Sequence, residues 1–255
     1  MDGGGSDNIA LAMLSMAETF RIQQPPKVKM AIKCARGALK LPNVSVHVAA
    51  NIHLQLGKLL VLYTENYEAA RDSLELAYTK MSEYGEYFLG YRLESLQLLC
   101  EVYVHGIVCQ QNSLRICQLI RNELIYVQET PAILSKLLFY YIEASCNTGN
   151  PMQALEGCDR GIFTFQKNGD IILELYFRIT KALIYMRDHE TYLSDAEHEK
   201  IKELLDKLNK NDPHWLNLKH YYECIQVVCL LNEGRRHRGD SDNLLTSSGP
   251  CMDRV

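Results

Sequence analysis

The chain has 255 residues, 47% hydrophobic and 23% charged, with a formal charge of −4. That length is enough to bury a sizeable core as one domain or one short repeat array. Its 15 Gly and 7 Pro are too few for a collagen-like or linker-dominated chain, and the mild negative charge argues against a surface dedicated to nucleic-acid phosphates.

Residues 1–8 read as a disordered start. Met1-Asp-Gly-Gly-Gly-Ser-Asp has neither the basic nor the apolar region of a signal peptide. Val44-Ser-Val-His-Val48 alternates like a short strand but leads straight into a helical pattern. In that pattern Val48, Ile52, Leu56, Leu59, Leu60 and Tyr63 recur at steps of mostly three and four. Asn66-Tyr67 marks a turn. Thr130-Pro131, Asn150-Pro151 and Asp212-Pro213 each place a capping residue before a proline, which gives up an amide that has no partner in the first helical turn anyway. Ser194-Asp-Ala-Glu197 reads as a capping box before the stripe Ile201, Leu204, Leu205 and Leu208. The acidic run Asp188, Glu190, Asp195, Glu197 and Glu199 reads as a turn and a helix start. The pattern predicts an all-α chain.

Internal repetition is the strongest signal. From His53 the chain reads as a tetratricopeptide-like hairpin. Leu56 and Gly57 hold the close-approach positions of its first helix, A, and Ala70, Leu74 and Ala77 those of its second, B. A second copy carries Leu96, Leu99, Cys100 and Tyr103. A third carries Leu138, a turn at Gly149-Asn150-Pro151, and Ala154, Cys158 and Gly161. Weaker A helices centre near Ser15, Lys181 and Gln226. The equivalent positions 15, 56, 99, 141, 181 and 226 are separated by 41, 43, 42, 40 and 45 residues. That exceeds the ~34 of a standard tetratricopeptide and overlaps the ~40–47 of HEAT-like units, so HEAT-like pairing stays open. The predicted architecture is a right-handed α-α superhelix over residues 9–234, incomplete at its C-terminal end. The last A helix, from His220, is expected to end at Gly234 with no B helix after it. Residues 235–255 read as a disordered polar tail, and the chain as a fragment, a short isoform or a misassembled reading frame.

No HExxH, CxxC, GxSxG, P-loop or GxGxxG occurs. The eight histidines do not pair at ligand spacing, so neither a metal nor a cofactor is expected, and the chain does not read as an enzyme. The nine cysteines, an odd number scattered from Cys34 to Cys251, suit small buried hydrophobes in a reducing compartment, cytosol or nucleus. Arg235-Arg-His-Arg238 and the tripeptide Arg238-Gly-Asp240 read as features of a polar tail.

A helical-repeat array lines a concave channel with its A helices, where an extended partner segment can lie. Projection of the A helices puts Asn51, Lys58, Glu94, Gln97, Glu101, Lys136, Glu143 and Asn147 on that face. Their mixed charge suits a polar polypeptide better than nucleic acid. A chaperone-type carboxylate clamp is incomplete, with only Asn51, Lys58 and Lys136 suitably placed.

Phe20-Arg21 with Pro25-Pro26-Lys27 is no part of a generic repeat. Together with His53-Leu-Gln-Leu-Gly57, Thr64, Asn66, Glu68, Ala70-Arg71, Leu74-Glu75 and Ala77, it resembles the N-terminal repeats of the mau-type chromatid cohesion factors. Asn112-Ser113, Thr130-Pro131 and Leu137-Leu-Phe139 continue the likeness more weakly, and it lapses after Gly234. The resemblance implies the tetratricopeptide subunit of the cohesin loading complex. Such a subunit is a nuclear scaffold that wraps the unstructured N-terminal segment of the large HEAT-repeat loader (nipped-B or delangin type) and through it serves cohesin, chromatin and sister-chromatid cohesion. No small-molecule substrate, membrane or direct nucleic-acid contact is implied. A generic adaptor in another intracellular assembly, including one in cell or axon migration, is the alternative.

Overall fold

The computed structural model describes residues 3–187 and 195–246, with side chains over 4–187 and 197–231. Among the described residues there are eleven α-helices and no strand. They run α1 (Gly3–Ile22), α2 (Val28–Ala38), α3 (Val46–Tyr63), α4 (Tyr67–Ser82), α5 (Leu89–Glu101), α6 (Gln110–Glu123), α7 (Pro131–Asn147), α8 (Pro151–Asn168), α9 (Ile171–Arg187), α10 (Asp195–Lys207) and α11 (Pro213–Thr246). A 3₁₀ turn, Gly85–Phe88, leads into α5, and a π turn, Val102–Gly106, ends it. The six repeat positions 15, 56, 99, 141, 181 and 226 fall one on each odd-numbered helix. The even-numbered helices are the B members between them.

The helix ends follow local chemistry. Asn66 caps α4 by accepting the Ala69 N–H at 3.2 Å. α7, α8 and α11 each begin at the proline of their capping pair, and Asp212 also accepts the His214 N–H at 2.8 Å. Gly149 turns the chain out of α7 at φ 73°, a left-handed backbone that a Cβ would strain. Two boundaries differ from the sequence pattern. Helix α1 starts at Gly3, inside the stretch read as disordered, and the Asp7 carboxylate accepts the Ser45 N–H at 2.8 Å. Helix α11 passes through Gly234, where the pattern ended it, and runs to Thr246; one helical glycine costs only about 1 kcal/mol. Val46–Val48, whose alternation looks strand-like, is the first turn of α3. Ser194 and the 247–255 end of the tail lie outside the described residues.

The chain divides into two compact units, Met1–Asn150 and Pro151–Val255. In the first, α1 packs on α2 and α3 on α4, and the A helices α1, α3 and α5 adjoin in turn. Ala70, Leu74 and Ala77 of α4 are fully buried, as are Leu99 and Cys100 of α5. Gly57 of α3 sits against Leu74: a Cβ built on it would lie 2.5 Å from two Leu74 carbons. Leu56 and Tyr103 are buried beside this contact layer.

Helices α4, α5 and α6 are also tied by a buried polar network. Arg92 Nη2 meets Glu123 Oε2 at 2.9 Å with both side chains 4% exposed, and the Tyr78 hydroxyl donates to Glu123 Oε1 at 2.7 Å. The other arm of Arg92 donates to the Gly85 carbonyl at 2.7 Å. Burial, then the Glu123 carboxylate, push the Tyr78 hydroxyl well above the usual tyrosine range. In the second unit, Leu175, Ile179, Ile201, Leu205, Leu218 and Ile225 from α9, α10 and α11 form one apolar cluster. Phe165 stacks on Phe177 at 5.5 Å, above Gly161, and Ala154 of α8 is fully buried.

A candidate polypeptide-binding groove

Helices α1, α3, α5 and α7 enter the first unit as A members, and their free faces meet in two hollows. The first, of about 580 Å³, lies between α1 and α3. Leu11, Leu14, Ala17 and Leu59 form its apolar lining, and Asn51, Gln55, Lys58 and Arg21 its polar lining. The second, of about 470 Å³, is more polar and is lined by Glu94, Gln97, Glu101, His105 and Lys136. Lys58 Nζ and Glu94 Oε1, 2.7 Å apart and each partly exposed, link α3 to α5 where the hollows adjoin. Surface pairs of this kind contribute at most about 1 kcal/mol, so breaking this one leaves the fold standing.

The groove polar groups are held in place by their neighbours. Arg21 is fixed by Glu18, three residues away on α1, and donates to the Tyr63 hydroxyl at 3.1 Å. Its hydrogen bond to Arg21 holds the Glu18 carboxyl below the usual range. Behind the second hollow the buried Tyr140 hydroxyl donates to Glu101, and Lys136 lies 5.9 Å from the centre of the Tyr140 ring. Burial, then Glu101, push the Tyr140 hydroxyl far above its ordinary value, so it stays a donor at any physiological pH. His105 stands between two carboxylates, 3.8 Å from Glu101 and 3.7 Å from Glu143.

Of the eight residues projected onto the channel, Asn51 and Lys58 line the first hollow, and Glu94, Gln97, Glu101 and Lys136 the second. Glu143 is exposed at the edge, paired with His105, and Asn147 is exposed and lines neither hollow. Sequence projection missed Gln55, Arg21, Tyr63 and His105. Gln55 and His105 follow Asn51 and Glu101 by four residues, one helical turn, so the helix period could have found them. Arg21 and Tyr63 end their helices, where projection loses its register. Among the described residues no three His, Cys, Asp or Glu side chains gather as metal ligands would, and no helix is long and apolar enough to cross a membrane.

A mixed-charge groove across successive A helices suits many adaptors, and comparison with known proteins narrows the choice. Residues 10–239 match the cohesin loading factor family. The chain belongs to that family. Maternal uncoordinated protein 2 of Caenorhabditis elegans is 35% identical over 233 residues, 90% of this chain and 38% of that protein. The MAU2 chromatid cohesion factor homologues of Aedes aegypti and Drosophila virilis are 28% and 26% identical over 229 and 230 residues, again 90% of this chain and 36% of each. The chain therefore spans little more than a third of the length of these relatives. The family match runs the length of the helical repeats, beyond the Phe20–Lys27 block and past Gly234.

Proposed function

We propose that this chain is a non-enzymatic scaffold of the cohesin loading complex, acting at chromatin in the nucleus. In this reading its groove holds the N-terminal segment of the large HEAT-repeat loader subunit, and the pair supports cohesin loading and sister-chromatid cohesion. The supporting observation is the row of partly exposed polar side chains along α3, α5 and α7, Asn51, Lys58, Glu94, Glu101 and Lys136, beside an apolar hollow between α1 and α3. Such a surface offers hydrogen bonds to an extended backbone and one seat for an apolar anchor. A disordered segment loses conformational entropy on binding, and a groove crossing four helices supplies the contact area to offset it.

The test is retention of the loader's N-terminal segment by the purified chain. Lys58→Glu and Glu101→Lys should each weaken the complex several-fold while leaving the melting temperature within a few degrees. A segment that is not retained by the wild-type chain, even at low salt, overturns the proposal.

A further inference from the structure

Five aromatic rings gather at the N-terminal ends of α3 and α5 without being absorbed into the core. Phe88 is their centre. Tyr87 and Tyr84 meet it edge-on at 5.0 and 5.5 Å, His47 stacks on it at 6.3 Å, and Tyr91 lies at 6.4 Å. Tyr87 is 85% exposed, and Tyr84, Tyr91 and His47 are also exposed. A contiguous aromatic patch left in water is unusual and marks a contact surface.

The patch is rigid. Tyr84, Tyr87 and Phe88 belong to the tight turn at Gly85, which has φ 59° and whose carbonyl is held from below by Arg92. Arg92 is in turn fixed by Glu123 in the buried network. A partner meeting these rings would spend little free energy on ordering them.

Position and charge indicate what the patch meets. His47 precedes Asn51 and Lys58 by four and eleven residues on α3, and Tyr91 precedes Glu94 and Glu101 by three and ten on α5. These helical spacings put both rings on the groove-lining faces. From Met81 to Tyr91 the chain has two carboxylates, Glu83 and Glu86, both exposed, and no lysine or arginine. Exposed π-faces beside carboxylates favour a cation, and the planar guanidinium stacks best.

We infer that this aromatic shelf extends the groove and seats cationic side chains, arginine foremost, of the segment that the groove binds. The inference rests on the proposed groove function and adds a chemical requirement: the segment carries an arginine or lysine where it passes the Gly85 turn.

The experiment uses the full chain and the loader's N-terminal segment. Tyr87→Ala with Tyr91→Ala should raise the dissociation constant about tenfold, as the loss of two exposed cation–π contacts implies, whereas Tyr87→Phe with Tyr91→Phe should bind within about twofold of wild type. Glu83→Lys with Glu86→Lys keeps the rings and should weaken binding comparably, which guards against misreading an unfolded alanine variant. A photo-crosslinker at position 84 should capture a stretch of the segment containing arginine or lysine. Wild-type binding with unchanged affinity in both the alanine and the lysine variants, or a crosslinked stretch with no cation, overturns the shelf and leaves the groove intact. Absence of wild-type binding overturns the groove reading itself, and the shelf with it.

Discussion

Gly57 gives the sharpest test of how α3 and α4 meet. A Cβ there would stand 2.5 Å from Cδ2 and Cγ of Leu74, against an ordinary carbon contact of about 3.5–4.0 Å. One partner must move by about 1 Å, and Leu74 is fully buried. Overpacking of this kind costs about 1–3 kcal/mol. Removing a helical glycine returns about 1 kcal/mol of backbone entropy. Gly57→Ala should therefore destabilise by about 1 kcal/mol net, and Gly57→Leu by more than about 3 kcal/mol. Gly90 in the first turn of α5 is the control, because a Cβ there meets nothing within 4 Å. Gly90→Ala should stabilise by a few tenths to about 1 kcal/mol. Urea unfolding followed by circular dichroism at about 222 nm reads all three. If Gly57→Ala gains as much stability as Gly90→Ala, the two helices do not touch at this point and the assigned repeat register is wrong.

Three further outcomes follow from the same structure. Arg92→Met leaves Glu123 buried without its cation and should cost about 3–5 kcal/mol, while the double variant Arg92→Met with Glu123→Met should cost less than the single one; a larger loss in the double variant would contradict this. Burial raises the Cys100 and Cys117 thiols above their ordinary range, whereas Cys109 and Cys224 are exposed, so among the described cysteines brief alkylation read by mass spectrometry should label Cys109 and Cys224 first. The Ser45 backbone N–H holds the Asp7 carboxyl below its ordinary value of about 3.9, so this tether between α1 and the start of α3 is complete above that pH and is lost as pH falls through the lower, folded value. Amide exchange at Ser45 should be level from about pH 7 to 5 and quicken only below about pH 4 relative to its intrinsic rate, a change that Asp7→Ala should abolish.

Much of this architecture was legible because close helix pairing needs small residues at fixed places. Gly57, Ala70 and Ala77 are where two backbones approach, so a recurrence near 40 residues placed every A helix. Six of the projected residues line the hollows, and five of them are polar positions one or two turns apart on α3 and α5. Charges in the interior were not legible. Arg92 and Glu123 sit 31 positions apart, and such residues are almost never buried unless paired, with a pairing set here by tertiary packing. Arg178 and Glu174 are four residues apart on α9, a spacing visible in the sequence, but their burial is set by tertiary packing. The aromatic shelf escaped notice because tyrosines in helix pairs usually pack inward, and the exposure of Tyr87 depends on the turn at Gly85.

The Arg92–Glu123–Tyr78 triangle limits how this protein can be rebuilt. Its three corners come from three successive helices, α5, α6 and α4, so no single hairpin contains a complete set. Removing the α3–α4 hairpin would take away the Tyr78 donor and leave a buried carboxylate oxygen short of a partner, while a cut between α5 and α6 would strand an ion in an oily interior. An engineer shortening the array would have to cut on either side of all three helices, or first replace the triangle with hydrocarbon.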